Sequence, residues 1–336
     1  MPQRVAAPPV CATGFQPLAV LATFAETEDI RTFRMARPPG FLFRAGQFLM
    51  VRASIDGNPL VRCYSITSAP AATGYLEISV RNQGTVSRHL HQTVRAGMTL
   101  EVSGPGGPFV YSSGDLPIVL LAGGIGITPL LSMLRHGLAC EPSRPITLIL
   151  SAKRAAQVPF LDELRVLVRR HPQFRLAITL TSESSDSEFF AGRIDRALIE
   201  RIVPDAAACV FMICGPLPMI DEMRRVLEAL SVPPAQIHFE KFEAAVSAAA
   251  SSAAGHCLTL QKSNRTISVA GGQTILDAAG TAVPSLCRVG VCATCRTRLV
   301  SGSVEGNFDA IEPADQAEGF ILACVARPLT DCVIDA

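Results

Sequence analysis

The stretch CRVGVCATC, Cys287 to Cys295, places three thiols four and two residues apart, and a fourth, Cys324, stands further along the chain. Such a set can hold a zinc ion, form disulfides, carry an iron-sulfur cluster or hold nothing. Structural zinc is built from two close pairs, whereas only Cys292 and Cys295 are close here. Disulfides belong to oxidising compartments, and the opening MPQRVAAPPVCATGF lacks the apolar core of a secretory signal. The spacing C-x4-C-x2-C with a distant fourth cysteine is that of a 2Fe-2S cluster. Cys287, Cys292, Cys295 and Cys324 are therefore the expected metal ligands. Gly290 and Ala293 leave room for backbone amides to turn toward the sulfurs, and Arg288 adds positive charge.

Around this loop lie the strand-like CLTLQKS and RTISVAG and a short helical piece near TILDAAGTA. Cys257 and Cys332 sit in strand-like runs and are expected to be small buried side chains. The segment resembles the plant-type ferredoxins, whose C-R-x-G-x-C-x-x-C pattern is met by Cys287, Arg288, Gly290, Cys292 and Cys295. The resemblance implies an α+β, β-grasp ferredoxin domain over residues 257–336, with the fourth ligand inside GFILACVARPLTDCVIDA before a closing strand. A metal centre adds the stability that so small a core lacks.

Working upstream, EAAVSAAASSAAGH, residues 243–256, is a run of small residues without apolar periodicity and reads as a linker. Residues 113–242 alternate strand-like PIVLLA, PITLILSA, FRLAITLT and CVFMIC with helix-like stretches. One helix sets Leu161, Leu164, Leu167 and Val168 on a common face, and another Met219, Ile220, Met223, Val226, Leu227 and Leu230. This alternation predicts an α/β domain on a parallel sheet. Residues 15–112 carry short β-rich runs between glycine and proline turns, the pattern of an antiparallel β-barrel. Residues 1–14 read as a flexible leader. A multidomain chain also fits its 336 residues, too many for one ordinary core.

The net charge of +1, with no basic block or acidic tail, argues against nucleic acid or an anionic membrane as partner. The apolar run Pro117 to Leu134 holds three glycines and two prolines and reads as strand, turn and helix rather than a membrane span, so a cytoplasmic protein is expected.

Three further elements carry chemistry. In VRCYSITSAP, Arg62, Tyr64 and Ser65 offer a phosphate partner, a flat stacking face and a hydrogen-bonding hydroxyl, although composition alone fits a solvated strand face equally well. LLAGGIGITP, Leu120 to Pro129, is a glycine-rich turn into a helix, where backbone amides can approach phosphates. Cys214-Gly215-Pro216 ends a strand at the edge where parallel sheets bind ligands, and read alone it is a buried strand-end cysteine. His89 and His91, in a helix-like stretch, lack a third ligand and read as surface residues.

Together these elements resemble the ferredoxin-NADP reductase superfamily: Arg62-Cys63-Tyr64-Ser65, then Gly84-Thr85-Val86-Ser87, the turn Gly104 to Phe109, and the loop containing Gly123, Gly124, Gly126, Thr128 and Pro129. The resemblance implies that Arg62 meets the flavin phosphate, Tyr64 packs on the flavin ring, and Ser65 bonds near the nitrogen that receives hydride. It implies that Gly84 to Ser87 offer amides to a pyrophosphate, which favours FAD over FMN. Cys214 would sit beside the hydride-bearing carbon of the nicotinamide, next to Gly215 and Pro216, and Phe242 would cover the flavin. Lys153 and Arg154 could face the adenosine end, and TSESS, Thr181 to Ser185, offers Glu183 rather than an arginine, which favours NADH over NADPH.

The order of modules resembles the single-chain reductase components of multicomponent oxygenases. The implied function is electron transfer from NADH through FAD to a 2Fe-2S cluster and on to a partner, a Rieske-type terminal oxygenase first. A hybrid-cluster protein, a desaturase or a diiron hydroxylase are the other acceptors, and a non-catalytic redox sensor is the reading from a different class.

Overall fold

The computed structural model describes residues 14–183, 188–242, 255–306, 308 and 310–336. The expected leader up to residue 13, Ser184 and Ser185 of TSESS, and linker residues 243–254 lie outside them. The chain forms two compact units, one ending at Phe242 and one C-terminal to it.

The first unit opens with a six-stranded antiparallel sheet. Its strands are β1 (Gln16–Ala25), β2 (Ile30–Ala36), β3 (Phe48–Ile55), β4 (Asn58–Ser65), β5 (Tyr75–Arg81) and β6 (Thr99–Gly106), with helix α1 (Thr85–Thr93) after β5. The order is β4-β3-β6-β1-β2-β5, and an Ile66–Ile78 bridge joins the ends into a barrel. Alternate residues point inward, so Phe33, Met35, Leu49, Val51, Leu76 and Ile78 form its core.

The second layer is a parallel sheet of β7 (Ile118–Gly123), β8 (Ile146–Ala152), β9 (Phe174–Leu180), β10 (Phe190–Ala191), β11 (Val210–Gly215) and β12 (Ile237–Lys241). Helices α2 (Ile127–Cys140), α3 (Leu161–Arg170), α4 (Arg196–Ile202) and α5 (Leu217–Ala229) connect them, and the order is β10-β9-β8-β7-β11-β12. Both faces of β7 are covered. Ile118, Leu120 and Ala122 pack in the core that includes α2, and Val119 and Leu121 in the one that includes α5. Each fully buried aliphatic side chain contributes about 1.5–3 kcal/mol, which makes β7 the anchor for the loop that follows it. β7 is also the switch point, with the chain running to β8 on one side and β11 on the other, and ligands bind at the C-terminal ends of strands around such a point. The run from Pro117 to Leu134 is thus strand, turn and helix, and among the described residues no helix is long and apolar enough to cross a membrane.

The second unit holds β13 (His256–Leu260), β14 (Arg265–Val269), α6 (Ile275–Ala279), β15 (Arg296–Ser301), β16 (Val304–Glu305), α7 (Pro313–Ala317), β17 (Phe320–Leu322), β18 (Arg327–Pro328) and β19 (Cys332–Ile334). Its mixed sheet runs β14-β13-β19-β15-β17, with parallel β13 and β19 at the centre and α6 packed on one core with them, a β-grasp arrangement. Cys332 is buried as expected, but Cys257 is exposed, because alternate residues of β13 face solvent. His91 also departs from the surface reading. Its ring bonds the Val80 carbonyl at 2.8 Å and packs edge-on against Phe33.

Candidate functional site

On β4, Arg62, Cys63 and Tyr64 are half-buried and Ser65 is buried, because the strand end turns into the barrel mouth. The Arg62 guanidinium lies back along its strand and donates to the Val61 carbonyl at 2.8 Å. Burial pushes the Tyr64 hydroxyl well above its ordinary range against the opposing pull of Arg62, so the phenol is neutral and acts as a flat apolar surface with one polar end.

Gly84 caps α1. The Ser87 hydroxyl accepts from the Gly84 and Gln83 amides at 2.8 and 3.1 Å and donates to the Gly84 carbonyl at 3.0 Å. Ser87 therefore spends its hydroxyl on shaping the turn. Val86 is inside the barrel core, so only its backbone is available to a ligand, and Thr85 is exposed at the helix start. Because the Gly84 cap has no side chain to accept from them, the first-turn N–H groups stay open to an anion.

The glycine loop and the C-G-P element, far apart in sequence, meet backbone to backbone. A methyl group on Gly126 would overlap the Cys214 carbonyl. One on Gly123 would come within 2.7 Å of Met219 and Pro216, and one on Gly215 within 3.1 Å of Gly123. Gly124 adopts φ +54°, the left-handed region that favours glycine. The Thr128 hydroxyl donates to the Ile125 carbonyl at 3.0 Å and closes the turn, and Pro129 is buried in the first turn of α2.

Cys214 is fully buried at the strand end, and burial, followed by the nearby Glu240, lifts its thiol well above the ordinary value. Glu240 is not among the residues that the sequence singles out. It pairs with Cys214 across β11 and β12, its Oε2 is shielded with no hydrogen-bond partner among the described residues, and burial pushes it up to about 8. The one signal for it in the sequence is a lone carboxylate between aromatics in HFEKF, His238 to Phe242. Phe242 follows at the end of β12 and is 37% exposed.

The tips of β8 and β9 also come together. Lys153 and Arg154 are exposed there, the Ser182 amide donates to the Lys153 carbonyl, and Glu183 accepts from the Ala155 amide at 2.7 Å.

In the second unit Cys287, Cys292, Cys295 and Cys324 are all buried, and none of the ten described cysteines forms a disulfide. The four thiols touch in turn. Hydrogen bonding to Cys287 raises the Cys292 thiol, hydrogen bonding to Cys287 and Cys295 raises Cys324, and the bond from Cys324 lowers Cys295. Among the described residues no three metal-ligating side chains converge on a single-ion site, and the thiols meet pairwise. Three buried thiols of one loop and a fourth that follows β17 are the donor set that a 2Fe-2S cluster takes. The loop reaches them by turning left-handed three times, at Arg288 (φ +58°), Gly290 (φ +79°) and Ala293 (φ +53°). Arg288 ties the loop to α6 through Asp277 at 2.6 Å. Burial pushes the Asp277 carboxyl up, but bonds from Thr274 and Arg288 outweigh it and hold the group below its usual value.

Comparison with known proteins agrees with this geometry. The sequence matches family models for an oxidoreductase FAD-binding domain over residues 18–111, an oxidoreductase NAD-binding domain over 120–225 and a 2Fe-2S iron-sulfur cluster binding domain over 258–329. It is 34% identical to a component of the 1,2-phenylacetyl-CoA epoxidase of Escherichia coli, covering 96% of this chain and 98% of that protein. It is 30% identical to the glycine betaine monooxygenase reductase subunit of Chromohalobacter salexigens, covering 92% of each. Among solved structures, phthalate dioxygenase reductase, described as modular for electron transfer from pyridine nucleotides to 2Fe-2S, superposes with a TM-score of 0.68 at 27% identity over 96% of this chain and 98% of that one. The cofactors are FAD, NADH and a 2Fe-2S cluster, and the activity is that of an NAD(P)H-dependent oxidoreductase. With three domain types in one chain and relatives matched along nearly their full length, the chain belongs to the reductase components of oxygenase systems, in which a ferredoxin-NADP reductase-type module precedes a plant-type 2Fe-2S ferredoxin.

Proposed function

We propose that this chain serves a terminal oxygenase, of the Rieske type first, and that the residues gathered at the sheet edge and barrel mouth divide the work of delivering electrons to it. FAD takes an electron pair as hydride and releases electrons singly, and a 2Fe-2S cluster carries them one at a time.

The protein's part is positional. Tyr64 gives the flavin ring a flat apolar face, Ser65 a hydroxyl at its reacting edge, and Arg62 a charge for its phosphate, with the Cys63 backbone between them. The free first-turn amides of Thr85, Val86 and Ser87 receive the pyrophosphate, and Gly84, whose own amide is held by the Ser87 hydroxyl, shapes the turn that presents them. Gly123, Gly124, Gly126, Thr128 and Pro129 form the floor on which the nicotinamide nucleotide lies, and Cys214, Gly215 and Pro216 bound its hydride end. Phe242 covers the flavin until the nicotinamide enters. Lys153 and Arg154 meet the adenosine end, where Glu183 repels a 2′-phosphate and selects NADH. Cys287, Cys292, Cys295 and Cys324 hold the cluster. The working divisions are residues 15–112, 113–242 and 257–336, and the compartment is the cytoplasm.

The observation that carries this reading is the backbone contact between Gly126 and Cys214, which brings two distant sequence elements to one strand edge. Anaerobic titration of the purified, reconstituted protein with NADH tests it. Bleaching of flavin, then of the cluster, is expected, and NADPH is expected to be used at least about tenfold less efficiently. Coupled turnover with purified Rieske oxygenase, diiron hydroxylase, desaturase and hybrid-cluster protein identifies the acceptor. Flavin that stays oxidised in NADH rejects the reading.

A further inference from the structure

Helix α2 starts at the glycine loop and, further along, grips the segment that continues the flavin strand. Ser132 and Arg135 lie three residues apart on one helix face. The Ser132 hydroxyl, fully buried, donates to the Ser68 carbonyl at 2.7 Å. Arg135 Nη1 donates to the Thr67 carbonyl at 2.8 Å and to Glu77 Oε2 at 3.0 Å. The same guanidinium forks the Glu163 carboxylate of α3 through Nε and Nη2, each at 2.7 Å. Glu77, on β5, is 3% exposed and also receives Arg34 through two bonds of 2.9 and 2.7 Å. Its backbone amide donates to the Ser68 hydroxyl at 3.1 Å.

Thr67 is two residues beyond Ser65, and Arg135 is two helical turns beyond Thr128. The carbonyls that Arg135 and Ser132 hold are therefore rigid extensions of the strand proposed to carry the flavin. The helix that holds them is an extension of the loop proposed to carry the nicotinamide. Hydride transfer requires donor and acceptor within roughly 3–3.5 Å, and a displacement of about 1 Å can cost about a hundredfold in rate. A single guanidinium with five donors fixed in a plane is suited to such a strut, because it cannot rotate one contact without breaking another.

We propose that Arg135, supported by Ser132, is a positioning residue that sets the spacing between the flavin strand and the nucleotide loop. This rests on the function proposed above. It touches neither ring and acts through Thr67, Ser68 and Glu77. Loss of the strut alters how closely the rings approach and leaves the binding of the adenosine end nearly intact.

Rapid-mixing reduction of the flavin in the full-length holoprotein by NADH tests this. In Arg135→Met the limiting rate of flavin reduction falls at least about tenfold while the NADH dissociation constant moves less than about threefold. The long-wavelength absorbance of stacked nicotinamide and flavin weakens, and amide hydrogen exchange quickens in residues 66–70 and in α2, a readout independent of turnover. Arg135→Lys, which retains a single-point contact, recovers part of the rate. Should Arg135→Met fail to hold flavin, Ser132→Ala decides, with an expected loss of about threefold in the limiting rate. A variant with full flavin content, unchanged stacking absorbance and a limiting rate within about twofold of the parent overturns the assignment. So does a rate that falls only in proportion to NADH binding. A parent protein that does not oxidise NADH overturns the function itself, a result distinct from either.

Discussion

Glu240 stands directly across from Cys214 in the register that pairs β11 with β12. One carboxyl oxygen is shielded and without a hydrogen-bond partner among the described residues, and the thiol opposite is fully buried. Burial keeps both groups protonated near neutral pH, with Glu240 pushed up to about 8 and Cys214 well above its ordinary value. The strand edge proposed to bound the nicotinamide thus carries polar atoms with no net charge.

A carboxyl raised from 4.5 to about 8 keeps a proton in the folded chain that the unfolded chain has released, so this group makes stability fall as pH rises between those values. Glu240→Gln is expected to flatten that part of the stability profile, and the parent's limiting rate of flavin reduction is expected to bend near pH 8 where the variant's does not. Thermal melts of both proteins across the same pH window check the first expectation, and stopped-flow reduction the second. An unchanged profile in the variant contradicts the assignment.

Cys292→Ser removes one thiol from the pairwise set in the second unit. Cluster content is expected to fall below about half, measured as bound iron and sulfide, with NADH-to-ferricyanide activity within about twofold of the parent. Normal delivery of electrons to the acceptor protein by this variant would refute the ligand set.

Gly126→Ala places a methyl group against the Cys214 carbonyl. Overpacking of this kind costs about 1–3 kcal/mol, and the loop has to move to relieve it. A lower melting temperature together with a weaker NADH dissociation constant is expected, while flavin content stays unchanged. Equal NADH affinity in the variant argues against a shared floor at that contact.

Ala293 is held at φ +53° in the cluster loop. A β-branched residue tolerates that region poorly, so Ala293→Val is expected to cost about 1–2 kcal/mol and to slow cluster assembly. Reconstitution kinetics followed by visible absorbance measure the effect, and parental kinetics would contradict it.

The elements legible in the sequence are those whose parts are close together along the chain. Three of the four thiols stand within one loop, and the glycine turn sits between an apolar strand and an apolar helix, so spacing and periodicity suffice. Glu240 escapes because its meaning comes from the cross-strand register with Cys214, which no local pattern encodes. Arg135 and Glu77 escape for a similar reason. A lone arginine on a helix and a lone glutamate on a strand look solvated until the barrel and sheet are packed together. Cys257 reads as an inside residue because its run is apolar, but alternate residues of β13 face away from the core, and alternation puts the thiol on that wet face. Ser87 is expected to serve through its amide, and what no local pattern shows is that its hydroxyl also holds the turn.

Where the glycine loop abuts the end of β11, there is no room for even one more carbon atom. Substitution at that seam distorts main chain, whereas the side chains at the tips of β8 and β9 are exposed to solvent. Under the proposed function, redesign of coenzyme choice therefore belongs at the outer rim around Lys153, Arg154 and Glu183, where charge can be rewritten without disturbing that seam.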